Sequence, residues 1–249
     1  MLRKRKVEIM KVKIQTKEKM NAEIAQLYID MVKANPNCVL GFATGSSPLG
    51  VYKKIIEAYK NGEVSFKNVT SFNLDEYVGL DETNDQSYRY FMNTNLFDHI
   101  DINKDNTHVP CGTNDYESKA KEYDEMIEKA GGIDLQILGI GSDGHIAFNE
   151  PGTSFDSLTH VAELAQSTIN DNSRFFNSIE EVPTKAVTMG LASIMKAKKI
   201  VLIATGENKA DAIRGLLQGL ITEDLPCSIL RNHPDVTIYV DHDAYSKVK

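Results

Sequence analysis

Short apolar runs alternate with longer amphipathic stretches along most of the chain. Val12 to Ile14 reads as a first strand, and Thr16 is placed to cap a helix running to about Ala34, where Pro36 and Asn37 break it. Residues 38–43 (Cys-Val-Leu-Gly-Phe-Ala) form a continuous apolar run, the mark of a strand buried on both faces. Pro48 opens a helix over 49–60, and Asn61-Gly62 closes it. Further strands are expected over 69–74, 133–140, 200–204 and 236–240, with weaker signals at 161–165 and 186–189. Helices are expected over 86–98, 116–129 and about 207–218, the second of these stopped by Gly131-Gly132.

Strands separated by helix-length segments require crossover connections. The pattern therefore predicts a single-domain, Rossmann-like α/β fold, with a mostly parallel sheet and helices on both faces. No repeat or linker divides it, so residues 10–249 read as one catalytic-sized domain. Residues 1–9 read as a flexible basic extension, with Met10 as an alternative start. Ligands of such sheets bind outside the carboxyl ends of the strands. That rule selects four polar or glycine-rich stretches, at 44–48, 75–79, 141–151 and 205–209.

Composition narrows the function. The chain has 249 residues, and 28 basic against 35 acidic side chains give a net charge of -7. A nucleic-acid surface is not expected, and an anionic ligand needs a local cluster of donors. Three scattered cysteines, Cys38, Cys111 and Cys227, suggest neither a disulfide framework nor a metal knuckle. They fit a reducing cytoplasm. No apolar run approaches the ~20 residues of a membrane span, and no secretory signal opens the chain.

Gly139, Gly141 and Gly144 spell G-x-G-x-x-G after a strand, but Pro151-Gly152 arrives where the long helix of a dinucleotide site should run. The stretch from Gly141 to Pro151 instead sets one histidine, His145, between Asp143 and Glu150. A histidine titrates near neutrality, and a carboxylate partner fixes its tautomer and raises its basicity. A polar turn whose histidine caps a strand end has the same composition. Zinc is disfavoured, because no closely spaced ligand set is evident. In Asn73-Leu74-Asp75-Glu76-Tyr77 two adjacent acids follow a strand, so one is available for chemistry and the other for structure. Thr44-Gly45-Ser46-Ser47-Pro48 joins strand to helix as an anion site, or as an ordinary serine N-cap. Gly45 and Gly50 have P-loop spacing, but Val51 and Tyr52 replace its Lys and Ser/Thr. Arg174 and Lys209 offer a fork and a point charge for a phosphate. Asp101, Asn103 and Asp105 imitate a calcium loop but lack its glycine and bidentate glutamate. Lys196, Lys198 and Lys199 read as a solvated helix end.

Taken together, 44–48, 72–80, 139–151, 172–176 and 205–209 resemble the glucosamine-6-phosphate deaminase family. The likeness runs from about Met10 to Val240, and His145-Ile146-Ala147-Phe148-Asn149-Glu150-Pro151 is its most specific stretch. The resemblance implies conversion of glucosamine 6-phosphate and water into fructose 6-phosphate and ammonia, a hydrolase in amino-sugar catabolism. No metal, pyridoxal or nicotinamide cofactor is implied. It implies that Asp75 takes the C2 proton and His145 opens the ring. Asp143 and Glu150 would tune the histidine, and Ser46, Ser47, Arg174 and Lys209 would grip the phosphate. Where regulated members carry Arg and Lys for an acetylated sugar phosphate, this chain has His160 and Ala162. It also ends at Lys249 without the longer tail. An unregulated enzyme, monomeric or a smaller homo-oligomer, is therefore expected. The alternatives are a 6-phosphogluconolactonase and, remotely, a sugar-phosphate sensor domain. The lactonase pattern departs after the histidine and at Tyr77. The sensor requires a helix-turn-helix module that the ~10 residues before the first strand are too few to form.

Overall fold

A computed structural model describes residues 10–249; the basic extension expected at 1–9 lies outside the described residues. In chain order the elements begin with β1 (Lys11–Ile14), α1 (Lys17–Ala34), β2 (Val39–Phe42), α2 (Leu49–Lys60), β3 (Thr70–Asn73) and β4 (Asp75–Tyr77). They continue with α3 (Tyr88–Asn95), β5 (Thr107–His108), α4 (Tyr116–Lys129), β6 (Leu135–Leu138), β7 (His160–Glu163) and α5 (Gln166–Asn172). The last are β8 (Lys185–Thr188), α6 (Leu191–Met195), β9 (Ile200–Ala204), α7 (Ala210–Gln218) and β10 (Val236–Val240).

Seven strands form one all-parallel sheet in the order β1-β10-β9-β6-β2-β3-β5. Every residue of β2, β6, β9 and β10 is buried, as their unbroken apolar runs require when helices flank the sheet. Phe42 illustrates the packing: Tyr28 stacks on it at 5.4 Å, and Tyr52 and Phe97 meet it edge-on at 5.7 and 6.1 Å. From β2 the chain proceeds outward to β3, whereas from β6 it proceeds the other way to β9. The adjoining β2 and β6 are thus the topological switch point, where a crevice opens above the strand ends.

A second, smaller sheet was not expected. Its order is β4-β8-β7, and both pairings are antiparallel. The stretch from Asp75 is therefore a strand rather than the loop its polarity suggests. It leaves β3 after a single residue, Leu74, and pairs Asp75 with Thr188. The weak strand signals at 161–165 and 186–189 belong to this sheet as β7 and β8. The helix expected over 86–98 is shorter: α3 stops at Asn95 and a 3-10 turn (Phe97–His99) follows. Asp101 serves structure, accepting the Phe66 N–H at 2.6 Å and the Ser65 hydroxyl at 2.5 Å. Lys196, Lys198 and Lys199 pair with Glu128, Asp134 and Asp235 across the surface. No helix among the described residues is long and apolar enough to cross a membrane.

Candidate active site

A pocket of about 360 Å³ lies at the switch point, and the ends of four strands supply its floor. After β2 come Thr44, Gly45, Ser46 and Ser47; after β3, Leu74 and Asp75; after β6, Gly139 to Gly141 and His145; after β9, Thr205 and Lys209. All eight residues expected to act, save Asp143 and Glu150, line it directly. Those two reach it through His145. Its size suits a hexose phosphate.

The loop after β2 is built for an anion. Gly45 takes a left-handed conformation at φ 84°, and Pro48 heads α2 with no side-chain cap bond. The serine N-cap reading is therefore not what the structure shows, and the first-turn N–H groups of α2 remain available above the strand end. The Tyr52 hydroxyl fixes the strand end from inside α2 through the N–H of Ala43 at 3.1 Å and its carbonyl at 2.5 Å. Opposite, Gly206 is anchored by both carboxylate oxygens of Asp241 at 3.1 and 3.0 Å, which sets the turn carrying Lys209. Arg174 enters from the 3-10 turn after α5.

The loop after β6 turns tightly. The N–H of Gly141 donates to the His145 carbonyl at 2.9 Å, and that of Gly144 to the Gly141 carbonyl at 3.2 Å. Glycine at 141 makes room for the imidazole: a Cβ there would lie 2.3 Å from Cε1 and Nδ1 of His145. Leu225 and Cys227 back the turn at Gly144, whose φ is 87°. Ala147 also has a positive φ of 53°, held by Asn149, whose amide donates to the Ile146 and Met189 carbonyls at 2.9 and 2.8 Å. Such strain costs on the order of 1 kcal/mol and needs support of this kind.

His145 Nδ1 sits 2.8 Å from Asp143 Oδ1 and 3.5 Å from Glu150 Oε2. Burial works against the imidazolium, but the two carboxylates outweigh it and lift the histidine to about 9. Burial likewise pushes Asp143 up, and His145 overrides it, bringing Asp143 to about 2. With Nδ1 facing both acids at ion-pair distance, Nε2 is the nitrogen left for chemistry. Ligand atoms of Asp143, His145 and Glu150 all lie within 4.8 Å of one another. This corrects the expectation that no close ligand set exists: the three have donors and spacing for a divalent cation, as well as for the ion pairs they make.

The adjacent acids after β3 have separate surroundings. Glu76 is buried and accepts backbone N–H groups from Tyr77, Tyr88 and Arg89 at 2.8, 2.9 and 2.9 Å, pinning the start of α3. Asp75 lines the pocket. Its burial, then the charge of Glu76, raise its carboxyl to about 8, against an opposing pull from His145. Sequence reasoning missed the aromatic wall beside it: Tyr77, Tyr88 and Phe148 lie within 4.8 to 6.1 Å of one another. It also missed Thr168 and Asn172 of α5, although Asn172 opens the stretch that carries Arg174.

Residues 13–239 match the family model described as glucosamine-6-phosphate isomerases/6-phosphogluconolactonase. A glucosamine-6-phosphate deaminase of Thermoanaerobacter pseudethanolicus is 56% identical over 232 residues, 93% of this chain and 92% of that one. The solved structure of a monomeric glucosamine-6-phosphate deaminase superposes with a TM-score of 0.93 at 44% identity, covering 96% of this chain and 100% of the other. A 6-phosphogluconolactonase of Trypanosoma brucei shares the fold alone, with a TM-score of 0.78 at 18% identity over 96% of this chain and 99% of that one.

Proposed function

This chain belongs to the glucosamine-6-phosphate isomerase/6-phosphogluconolactonase family, and we infer from its site that it isomerises and deaminates glucosamine 6-phosphate to fructose 6-phosphate and ammonia. The observation that carries this reading is one pocket holding a buried carboxyl, Asp75, and an imidazole flanked by two carboxylates, His145, beside an anion cradle.

The order of chemistry follows from the substrate. C2–H of a closed pyranose is hardly acidic, so the ring must open first. His145, held as an imidazolium, gives its proton to O5 as the C1–O5 bond breaks and takes the O1 proton in return, which leaves an aldehyde at C1. Asp143 and Glu150 stabilise the imidazolium that passes through this relay. Asp75, now next to an activated C2–H, removes that proton to give an enolamine and redelivers it to C1. The resulting ketimine at C2 adds water and releases ammonia. A cationic amine arriving beside Asp75 favours its ionised form, offsetting the burial that raises it when the pocket is empty. Ser46, Ser47, Arg174 and Lys209 hold the phosphate, which fixes C1 and C2 against the two proton carriers. Water enters only at the final carbon–nitrogen cleavage, so isomerase/deaminase describes the reaction better than hydrolase.

Three further readings rest on features outside the pocket. Residues 10–249 form one catalytic unit. His160 and Ala162 give β7 no pair of cations for an acetylated sugar phosphate, which supports an enzyme without that activator, working as a monomer or small oligomer. Three free cysteines support a reducing cytoplasm. Incubation with glucosamine 6-phosphate should release ammonia and fructose 6-phosphate in equal amounts. Hydrolysis of 6-phosphogluconolactone, with no ammonia released from glucosamine 6-phosphate, would overturn the assignment.

A further inference from the structure

We propose that α5 transmits phosphate capture to the ring-opening histidine, with Thr168 as the positioning residue that holds Glu150 against His145. The proposal rests on the reaction assigned above.

Glu150 is a bridge. Its Oε1 accepts the Thr168 hydroxyl at 2.5 Å and the Ala165 N–H at 3.4 Å, while its Oε2 faces His145 Nδ1 at 3.5 Å. One oxygen therefore belongs to α5 and the other to the catalytic imidazole. Thr168 is buried, at 5% exposure, and lines the pocket. Four residues on, on the same helix face, Asn172 donates to the Tyr77 hydroxyl at 2.8 Å. Tyr77 shares β4 with Asp75. A seven-residue helix thus touches both the partner of the ring-opening group and the strand that carries the C2 base. Two residues further lies Arg174, at the phosphate end of the pocket.

The composition of α5 makes this coupling conditional. Gln-Ser-Thr-Ile-Asn-Asp-Asn offers a single large apolar side chain, Ile169, which is only partly buried against the smaller apolar cluster. Burying one such side chain does not offset the entropy lost in ordering seven residues. Polar contacts must supply the difference, and a phosphate on Arg174 adds one. A seated α5 presents the Thr168 hydroxyl to Glu150, which then keeps its second oxygen on the imidazole. The charged groups that bear on His145 are Asp143 and Glu150 from its own loop and Asp75 from β4; the Cys227 thiol backs the turn. Thr168 carries no charge, so its effect on the histidine passes through Glu150.

Thr168→Val keeps the shape and removes the hydroxyl. We expect kcat to fall ~10- to 100-fold, the size of effect typical of an orienting partner, with KM changed less than about threefold. The alkaline limb of kcat should move to lower pH, because Glu150 no longer holds the imidazolium. Thr168→Ser should restore both, and Thr168→Ala repeats the measurement should valine disturb folding. Independently of turnover, NMR titration of the His145 ring with and without inorganic phosphate should show an upward shift of its midpoint that is smaller in the valine variant. A valine or alanine variant with unchanged kcat and unchanged limb, a serine variant as impaired as valine, or equal phosphate shifts in all proteins would overturn the coupling. Failure of the wild type to release ammonia would count against the reaction and leave the phosphate titration to decide the coupling.

Discussion

Gly141→Ala tests the geometry of the catalytic turn without changing the chemistry of any reacting group. The added methyl carbon would sit 2.3 Å from Cε1 and Nδ1 of His145 and 2.6 Å from Oδ1 of Asp143. Carbon and nitrogen at rest stay roughly 3.5 Å apart, so the imidazole must retreat by about 1 Å. A displacement of that size costs ~100-fold in rate when it moves a positioned group. The backbone at 141 does not require glycine for its own sake, because its φ is outside the positive range that marks Gly45, Gly144 and Gly206. Stability should therefore change by no more than about 1 kcal/mol, or ~2–4 °C in Tm for a chain of this size. The phosphate cradle lies on other loops, so binding of the phosphosugar should persist. Steady-state kinetics, calorimetric binding and a melting curve together give the answer. A variant that binds and melts normally but turns over ~100-fold slower fits the turn described; kcat within about threefold of wild type would refute the placement of the imidazole.

Two consequences concern pH. In the unliganded enzyme Asp75 titrates near 8 and His145 near 9, so kcat/KM should rise as Asp75 ionises and fall as His145 loses its proton. Asp143→Asn should draw the falling limb down by roughly 1 to 2 pH units; an unmoved limb would remove Asp143 from the relay. The second is a stability effect. Asp75 holds its proton more tightly folded than unfolded, so its contribution is present at low pH and is lost as pH rises towards about 8. At ~1.4 kcal/mol per unit, and with the carboxyl half ionised at pH 8, that is about 2 kcal/mol between pH 6 and pH 8. His145, also raised, has the same sign and remains in an Asp75→Asn variant. Asp75→Asn should thus lose less stability over this range than wild type; parallel denaturation curves at the two pH values would contradict the buried carboxyl.

The parallel sheet was legible because its punctuation is strong. Pro48 and Asn61-Gly62 bracket α2, and Gly131-Gly132 stops α4, so both helices occupy the expected residues. The antiparallel sheet was not legible as a unit. β4 is three residues long, too short for a period, and its pairing with β8 is set by contacts more than 100 residues apart in sequence. α5 escaped notice because it has only one large apolar residue to mark a face. At the site, Asp75, Asp143, His145 and Glu150 stood out because carboxylates and an imidazole follow buried strands. The division of labour between Asp75 and Glu76 came only from the family resemblance and not from the residues themselves, since it depends on the N–H groups of Tyr88 and Arg89 turning towards one acid only.

The central claim is that Asp75 moves the C2 proton of a ring-opened aminosugar phosphate. Exchange of the C2 hydrogen with solvent deuterium, followed by NMR in Asp75→Asn alongside binding of the same sugar phosphate, tests it most directly. We predict retained binding, with exchange and ammonia release both reduced by ~100- to 10,000-fold. An asparagine variant that exchanges C2 at the wild-type rate would contradict the account.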